Sequence, residues 1–415
     1  MKRVGRAVGG GVLVLLGLAV GVLRWYSPGE TAPIVGEGGQ PLPRSIARLQ
    51  PLLVNGNRQW LLLRGQDSTR PVLLFLHGGP GLPELPLLVG HALESRFVVV
   101  NWEQRGAGKS YDARVFDRSF TVDQFVADAA AVSRWLGRRF PRPDGRPAKI
   151  YLMAHSWGTF LGVLTVRQHP GLFRAYLGIS QIARQLEAEQ ISYDWVLQQA
   201  ERAGHARAVR RLRAQGRPPY PPADWLDYLM WQRALVADYR GALHRADFYP
   251  LFIGSILRCR EYTLADKARY GFGAMATVRR LWPAVVATDL ARVAPRLAVP
   301  CYLFQGTHDY QTPYAIARRY YDRLQAPRKR LFTFTESAHS PIFEEPARFR
   351  QCVDSVLTDL RNVPDEPTER RPARLLLCFS RRLVSGRRKH ESSLKTARDH
   401  RRSAVSLRRG RVCRL

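Results

Sequence analysis

The chain has 415 residues and 45% of them are hydrophobic, so it can build a large core and is not broadly disordered. Its formal charge of +31 is uneven, because residues 370–415 hold 16 Lys and Arg against 2 acids, nearly half of the excess. Its 5 cysteines are scattered without a Cys-x-x-Cys pair, which excludes a zinc or thioredoxin-type motif and gives no disulfide framework.

Lys2, Arg3 and Arg6 precede an uncharged apolar run from Ala7 to Leu23, closed by Arg24, Trp25 and Tyr26. As a helix the run spans roughly 25 Å, at the short end for a bilayer core. Residues 1–26 therefore read as an uncleaved membrane anchor, with a cleaved signal peptide as the alternative. The basic start places the rest of the chain outside the cytoplasm, tethered or, on the alternative, secreted. Residues 27–44, with four prolines and four glycines, read as a tether. From Leu52 to Leu63 two strands are predicted around Asn55-Gly56, a strong hairpin signal. The apolar runs Val72–Leu76, Phe97–Val100, Ile150–Ala154, Tyr176–Ile179 and Cys301–Phe304 predict short strands buried on both faces. Thr121 with Gln124 predicts a capping box, followed by the helical stripe Val122, Phe125, Val126, Ala129 and Val132.

Residues 181–296 break this rhythm with helical periodicity and read as a helical cap. The last predicted helix is Pro346–Arg361. The pattern amounts to an α/β chain with a mostly parallel, doubly wound sheet. Its core is divided into residues 45–180 and 297–363, with the cap inserted between them. Residues 364–415 read as a basic disordered tail. It lacks the aromatic interleaving that a nucleic-acid binder tends to show, so nucleic acid is not the expected partner.

Ser156 lies in Ala154-His155-Ser156-Trp157-Gly158, between a predicted strand and a predicted helix. Asp309 follows in Gln305-Gly306-Thr307-His308-Asp309, and His339 in Ser337-Ala338-His339-Ser340-Pro341. A serine hydroxyl needs a histidine to take its proton and a carboxylate to orient that histidine. The order Ser…Asp…His is that of α/β-hydrolases. His77 and His155 are rival bases, but they flank backbone motifs, and His339 alone completes the order. The residue after the nucleophile, Trp157, would give one oxyanion N–H. Gly79, in His77-Gly78-Gly79-Pro80-Gly81, would give the other. No metal site or cofactor motif is present. Arg105-Gly106-Ala107-Gly108-Lys109-Ser110 lacks the first glycine of a phosphate loop.

These segments, with Asn101-Trp102-Glu103-Gln104-Arg105-Gly106-Ala107-Gly108-Lys109-Ser110, resemble the prolyl (proline) iminopeptidase group of α/β-hydrolases over about residues 45 to 362. The resemblance implies a cap over the active site and release of an N-terminal residue, often proline, from small peptides. It makes Ser156 the nucleophile, His339 the base and Asp309 its orienter. It also implies cap carboxylates that hold the substrate's free amine, for which Glu187, Glu189 and, behind them, Glu201 are the candidates. The chain departs from the family at Glu103, where Asp is usual, and at Ala154, where Gly is usual. A carboxylesterase or lipase-like enzyme with the same three residues is the runner-up, and a non-enzymatic, membrane-anchored binding protein on this scaffold is a third reading.

Overall fold

The computed structural model describes residues 16–363, apart from 23, 118, 119 and 222. The expected basic tail and residues 1–15 of the expected anchor lie outside the described residues. The chain divides into two compact units, Met1–Asp365 and Glu366–Leu415, and every described residue belongs to the first.

Eight strands form one sheet. They are β1 (Ile46–Val54), β2 (Asn57–Gly65), β3 (Val72–Leu76), β4 (Val98–Glu103), β5 (Ile150–His155), β6 (Phe173–Ile179), β7 (Cys301–Gly306) and β8 (Lys329–Phe334), in the order β1-β2-β4-β3-β5-β6-β7-β8. β1 and β2 pair antiparallel, as do β2 and β4, and every later pairing is parallel. The hairpin turns at Asn55 (φ 44°) and Gly56 (φ 78°), the paired positive φ values that a two-residue turn requires. The unbroken apolar strands serve two cores at once. Leu74, Leu76, Val98, Val100 and Leu152 face one hydrophobic cluster, while Leu73, Phe75, Val99, Tyr151 and Met153 face the other.

The helices of the core are α1 (Val122–Arg139) and α2 (Trp157–Gln168), and beyond β6 come α3 (Gln185–Arg202), α4 (Ala206–Gln215), α5 (Trp225–Asp238), α6 (Phe248–Arg258) and α7 (Leu264–Ala287). The chain then returns to the core with α8 (Tyr314–Arg323) and α9 (Pro346–Leu360). α1 and α2 pack on the first cluster, and α9 covers the second with Phe349, Val353, Val356 and Leu360. Helices α3 to α7 lie between β6 and β7, and Tyr193, Val196, Ala200, Leu212 and Val236 give α3, α4 and α5 a small core of their own. Trp195 on α3 stacks on Tyr310 at 3.9 Å, which ties this insert to the loop after β7.

Two sequence readings need adjusting. The capping box at Thr121 is half formed: its hydroxyl accepts the Gln124 N–H at 3.3 Å, but the Gln124 side chain donates to Asp128 instead. Asp128 is a buried anion, and its bond from Gln124 Nε2 holds that side chain away from the Thr121 N–H. Residues 27–44 are docked against the core. Arg64 donates to Thr31 Oγ1 and the Ala32 carbonyl, both at 2.7 Å, and the Gly29 N–H donates to the Arg260 carbonyl at 2.9 Å. Residues 16–22 and 24–25 are helical. Among the described residues no helix is long and apolar enough to cross a membrane.

Candidate active site

Ser156 occupies the tight turn from β5 into α2, with φ 53° and ψ −120°. A non-glycine residue held there is strained, and strain of this kind persists only where the surroundings enforce it. The enforcement is visible on both sides. A Cβ on Gly158 would stand 2.1 Å from the Leu76 carbonyl oxygen, so no larger residue fits beneath the turn. Ala154, where the resembling family has glycine, is accommodated because Gly162 leaves room opposite its methyl group. The Ser156 N–H donates to the Ile179 carbonyl at 3.0 Å, which fixes the turn to β6.

Asp309 and His339 come from the ends of β7 and β8. Their loops can approach because Gly306 lacks a side chain, and a Cβ there would lie 2.0 Å from the Ala338 carbonyl. His339 Nδ1 and Asp309 Oδ2 are 2.9 Å apart, and both residues are buried. Asp309 also accepts from the N–H groups of Gln311 and Thr312, each at 2.8 Å, and from the Thr312 hydroxyl at 2.7 Å. Burial works against its charge. His339 and the Thr312 donors outweigh burial and hold the carboxyl below its ordinary value. Burial lowers His339 below its ordinary 6.5, opposed by Asp309, so the imidazole is neutral near pH 7. Ser156 and His339 line one small cavity of about 100 Å³, together with Gly79, His155 and an apolar wall that includes Leu243, Phe248, Leu251, Phe252 and Phe343.

The glycine loop after β3 borders the same cavity. Gly79 has φ 110°, and a Cβ there would meet the backbone nitrogens of Gly81 and Leu82 at 2.6 Å. A Cβ on Gly78 would lie 3.3 Å from the Ser156 Cβ, so this loop abuts the turn that carries the serine. Trp157 opens α2, and its N–H therefore has no acceptor within its own helix. The Trp157 indole donates to Gln104 Oε1 at 2.9 Å, and Gln104 Nε2 donates to the His77 carbonyl at 3.2 Å. Gln104 thus braces the serine turn against the glycine loop. His77 itself is neutral. Burial drives it down to about 4, Nδ1–H donates to the Gly78 carbonyl, and Nε2 accepts the Gln104 N–H.

One feature escaped the sequence reading. Glu84 is buried beside the serine and accepts the Gly78 N–H at 3.0 Å, and it lies 2.5 Å from His155 Nδ1. The other ring nitrogen of His155 faces the His339 carbonyl at 2.8 Å, to which it can only donate. Burial opposes charge on His155, but Glu84 more than offsets it and raises the imidazole above its ordinary value. The pair joins the glycine loop, the serine turn and the histidine loop. Nothing in the local sequence marks Glu84, because two of the residues it joins, His155 and His339, lie far along the chain.

The cap glutamates lie elsewhere. Glu187 is paired with Arg184 and Arg319. Glu189 is buried between Arg233, Gln185 and Gln232, and borders a separate cavity of about 400 Å³ lined by Tyr220, Trp225 and Trp282. Glu201 pairs with Arg213 on an exposed face. None of the three lines the cavity at Ser156, where Glu84 is the one carboxylate among the described residues. Glu103 in turn accepts from the Tyr262 hydroxyl and from the Lys109 N–H at 2.7 Å, so the longer acid reaches the insert. Among the described residues no cluster of side chains suited to a metal ion occurs.

Comparison with known proteins places this geometry in a wide group. Residues 73–351 match the model of the alpha/beta hydrolase family. The chain is 32% identical over 311 residues to the "Probable aminopeptidase YbaC" of Bacillus subtilis (strain 168), covering 74% of this chain and 96% of that one. A proline iminopeptidase of Mycobacterium smegmatis superposes with a TM-score of 0.54 at 18% identity, over 75% of this chain and 98% of its own. A proline iminopeptidase-related protein of Thermus thermophilus gives a TM-score of 0.53 at 20% identity, over 76% and 98%.

Proposed function

This chain belongs to the alpha/beta hydrolase family, as a proline iminopeptidase-like hydrolase, and on that premise we propose that Ser156, His339 and Asp309 act together as its catalytic triad. The observation that carries the reading is the 2.9 Å bond from His339 Nδ1 to buried Asp309, with Ser156 on the wall of the same cavity. Asp309 holds the proton on Nδ1, which leaves Nε2 of the neutral imidazole as the base. Ser156 Oγ gives its proton to Nε2 and attacks the substrate carbonyl carbon. The N–H groups of Gly79 and Trp157 receive the oxyanion, each lowering the barrier by roughly 3 kcal/mol. His339 returns the proton to the leaving group, an acyl-enzyme remains, and water activated by His339 releases it.

The substrate reading is release of an N-terminal residue of proline type from small peptides, supported by the likeness to the 32% identical relative that is named an aminopeptidase. A second reading is hydrolysis of esters of small apolar acids. The apolar wall favours it, as does the pairing of Glu187 and Glu189 with arginines away from Ser156. At residues 1–26 we infer an anchor or signal that puts the enzyme outside the cytoplasm; protease accessibility of the intact cell's surface tests this. The decisive experiment compares hydrolysis of a proline arylamide and a short-chain acyl ester by the full chain and its Ser156→Ala variant. Arylamide turnover lost in the variant supports the peptidase, and ester turnover alone, equally lost, supports the esterase. Turnover that survives Ser156→Ala, or activity on neither substrate, refutes the triad reading.

A further inference from the structure

Helix α6 has two apolar sides, and the catalytic reading uses one. Phe248, Leu251 and Phe252 line the cavity beside Ser156. Tyr249, Ile253 and Leu257 stand four residues apart, so they form one row on the helix surface. They are 44, 51 and 45% exposed, and no residue of α6 is fully buried. The row ends where the N-terminal segment departs. Lys267 Nζ donates to the Leu257 carbonyl at 2.6 Å, the Tyr26 carbonyl at 3.0 Å and Ser27 Oγ at 2.8 Å. One ammonium group therefore clasps the C-terminal end of α6 to the foot of the N-terminal helix. The Gly29 and Glu30 N–H groups both donate to the Arg260 carbonyl, which secures the strap just beyond.

That N-terminal helix has no cover from the described residues. Leu16, Leu18, Val20, Val22 and Trp25 are each more than half exposed, and a Cβ on Gly17 or Gly21 would meet nothing within 4 Å. Apolar area on this scale, left uncovered by the described residues and joined through the clasp to a second apolar row, suits contact with an apolar phase. The rim decides which phase. Arg24, Arg258, Arg260 and Arg269 are exposed around the clasp against the exposed acid Glu30, while Asp266 is neutralised by Lys109, so the rim stays basic. A basic rim around an apolar row suits the anionic headgroups and acyl boundary of a bilayer, with Trp25 and Tyr26 at headgroup depth.

We propose that the outer row of α6 and the helical residues 16–22 and 24–25 form a single docking surface for an anionic lipid bilayer. α6 is then at once the lipid contact and a wall of the cavity. On the hydrolase reading above, on which this last consequence alone rests, acyl substrates reach Ser156 from the lipid side.

The test is amide hydrogen exchange of the full chain with and without vesicles of equal parts phosphatidylcholine and phosphatidylglycerol. Exchange across residues 248–258 and 16–26 slows together by about tenfold with vesicles, and α1, which packs on the first hydrophobic cluster, is unchanged. In the double variant Ile253→Asp, Leu257→Asp the slowing at residues 248–258 is lost, and hydrolysis of a soluble substrate, if the chain has it, is retained. Slowing confined to residues 16–26 overturns the proposal, because the segment then inserts without α6. Protection of α6 that is present without lipid and grows with protein concentration also overturns it, and assigns the row to a second copy of the chain. Exchange is read without turnover, so failure of the hydrolase reading leaves this test standing.

Discussion

Replacing Glu103 with Gln isolates one buried carboxyl and reports on how the core holds the helical insert. Burial raises the Glu103 carboxyl from its ordinary 4.5 to about 7, against the opposing bonds from Tyr262 and the Lys109 N–H. A folded value above the unfolded one means that folding takes up a proton between the two. The stability from Glu103 is therefore fully present below about pH 4.5 and is lost as pH rises through about 7. The gap, 7 − 4.5, is about 2.5 units, and at about 1.36 kcal/mol per unit it sets a ceiling of about 3 kcal/mol. An amide at this position escapes the loss. Its oxygen accepts the Lys109 N–H, its NH2 donates to the Tyr262 oxygen, and the tyrosine hydroxyl rotates to suit. Urea unfolding of the parent chain and E103Q, each at about pH 5 and about pH 8.5, reads the difference. E103Q gains on its parent at the higher pH, by up to about 3 kcal/mol relative to their difference at the lower one. A difference that is the same at both pH values refutes the reasoning, since it shows that the carboxyl is equally charged in the folded and unfolded chains.

The remaining predictions concern the serine turn and its supports. Gly158→Ala puts a methyl group 2.1 Å from the Leu76 carbonyl, and costs about 3 kcal/mol or more in unfolding experiments together with most of the turnover. Asp128→Ala strips the anion that Arg105, Gln59, Asn55 and Gln124 share, and lowers stability by about 3–5 kcal/mol because a buried guanidinium loses its partner. Asp309→Asn reduces kcat by roughly 10⁴-fold with the fold intact, and a loss of less than tenfold speaks against its orienting role. Because burial holds His339 below 6.5, the acid limb of a kcat/KM profile turns over below about pH 6.5. A midpoint above 7 contradicts His339 as the neutral base.

Local order determined much of this protein. Unbroken apolar runs of four or five residues read as strands buried on both faces, and the structure has them there. Ser156 between a strand and a helix, and His-Gly-Gly-Pro-Gly after β3, were legible because the geometry of each turn is written in adjacent small residues. β4, in contrast, runs on to Glu103, beyond the apolar run, because pairing with β2 and β3 rather than hydropathy sets its end. The half-formed capping box shows the same limit, since Gln124 sits at the right spacing but Asp128 draws its side chain away. Only the tertiary structure decided which charges are spent on one another. Glu189 reads on its helix as a free cap carboxylate, yet Arg233 on the facing helix takes it. Glu84 carries no motif, yet it lies against His155 and the glycine loop at the serine. The physical reason is one of range: turn geometry and hydrophobic period act over a few residues and are visible along the chain, whereas a buried charge is paired by whatever folding brings beside it.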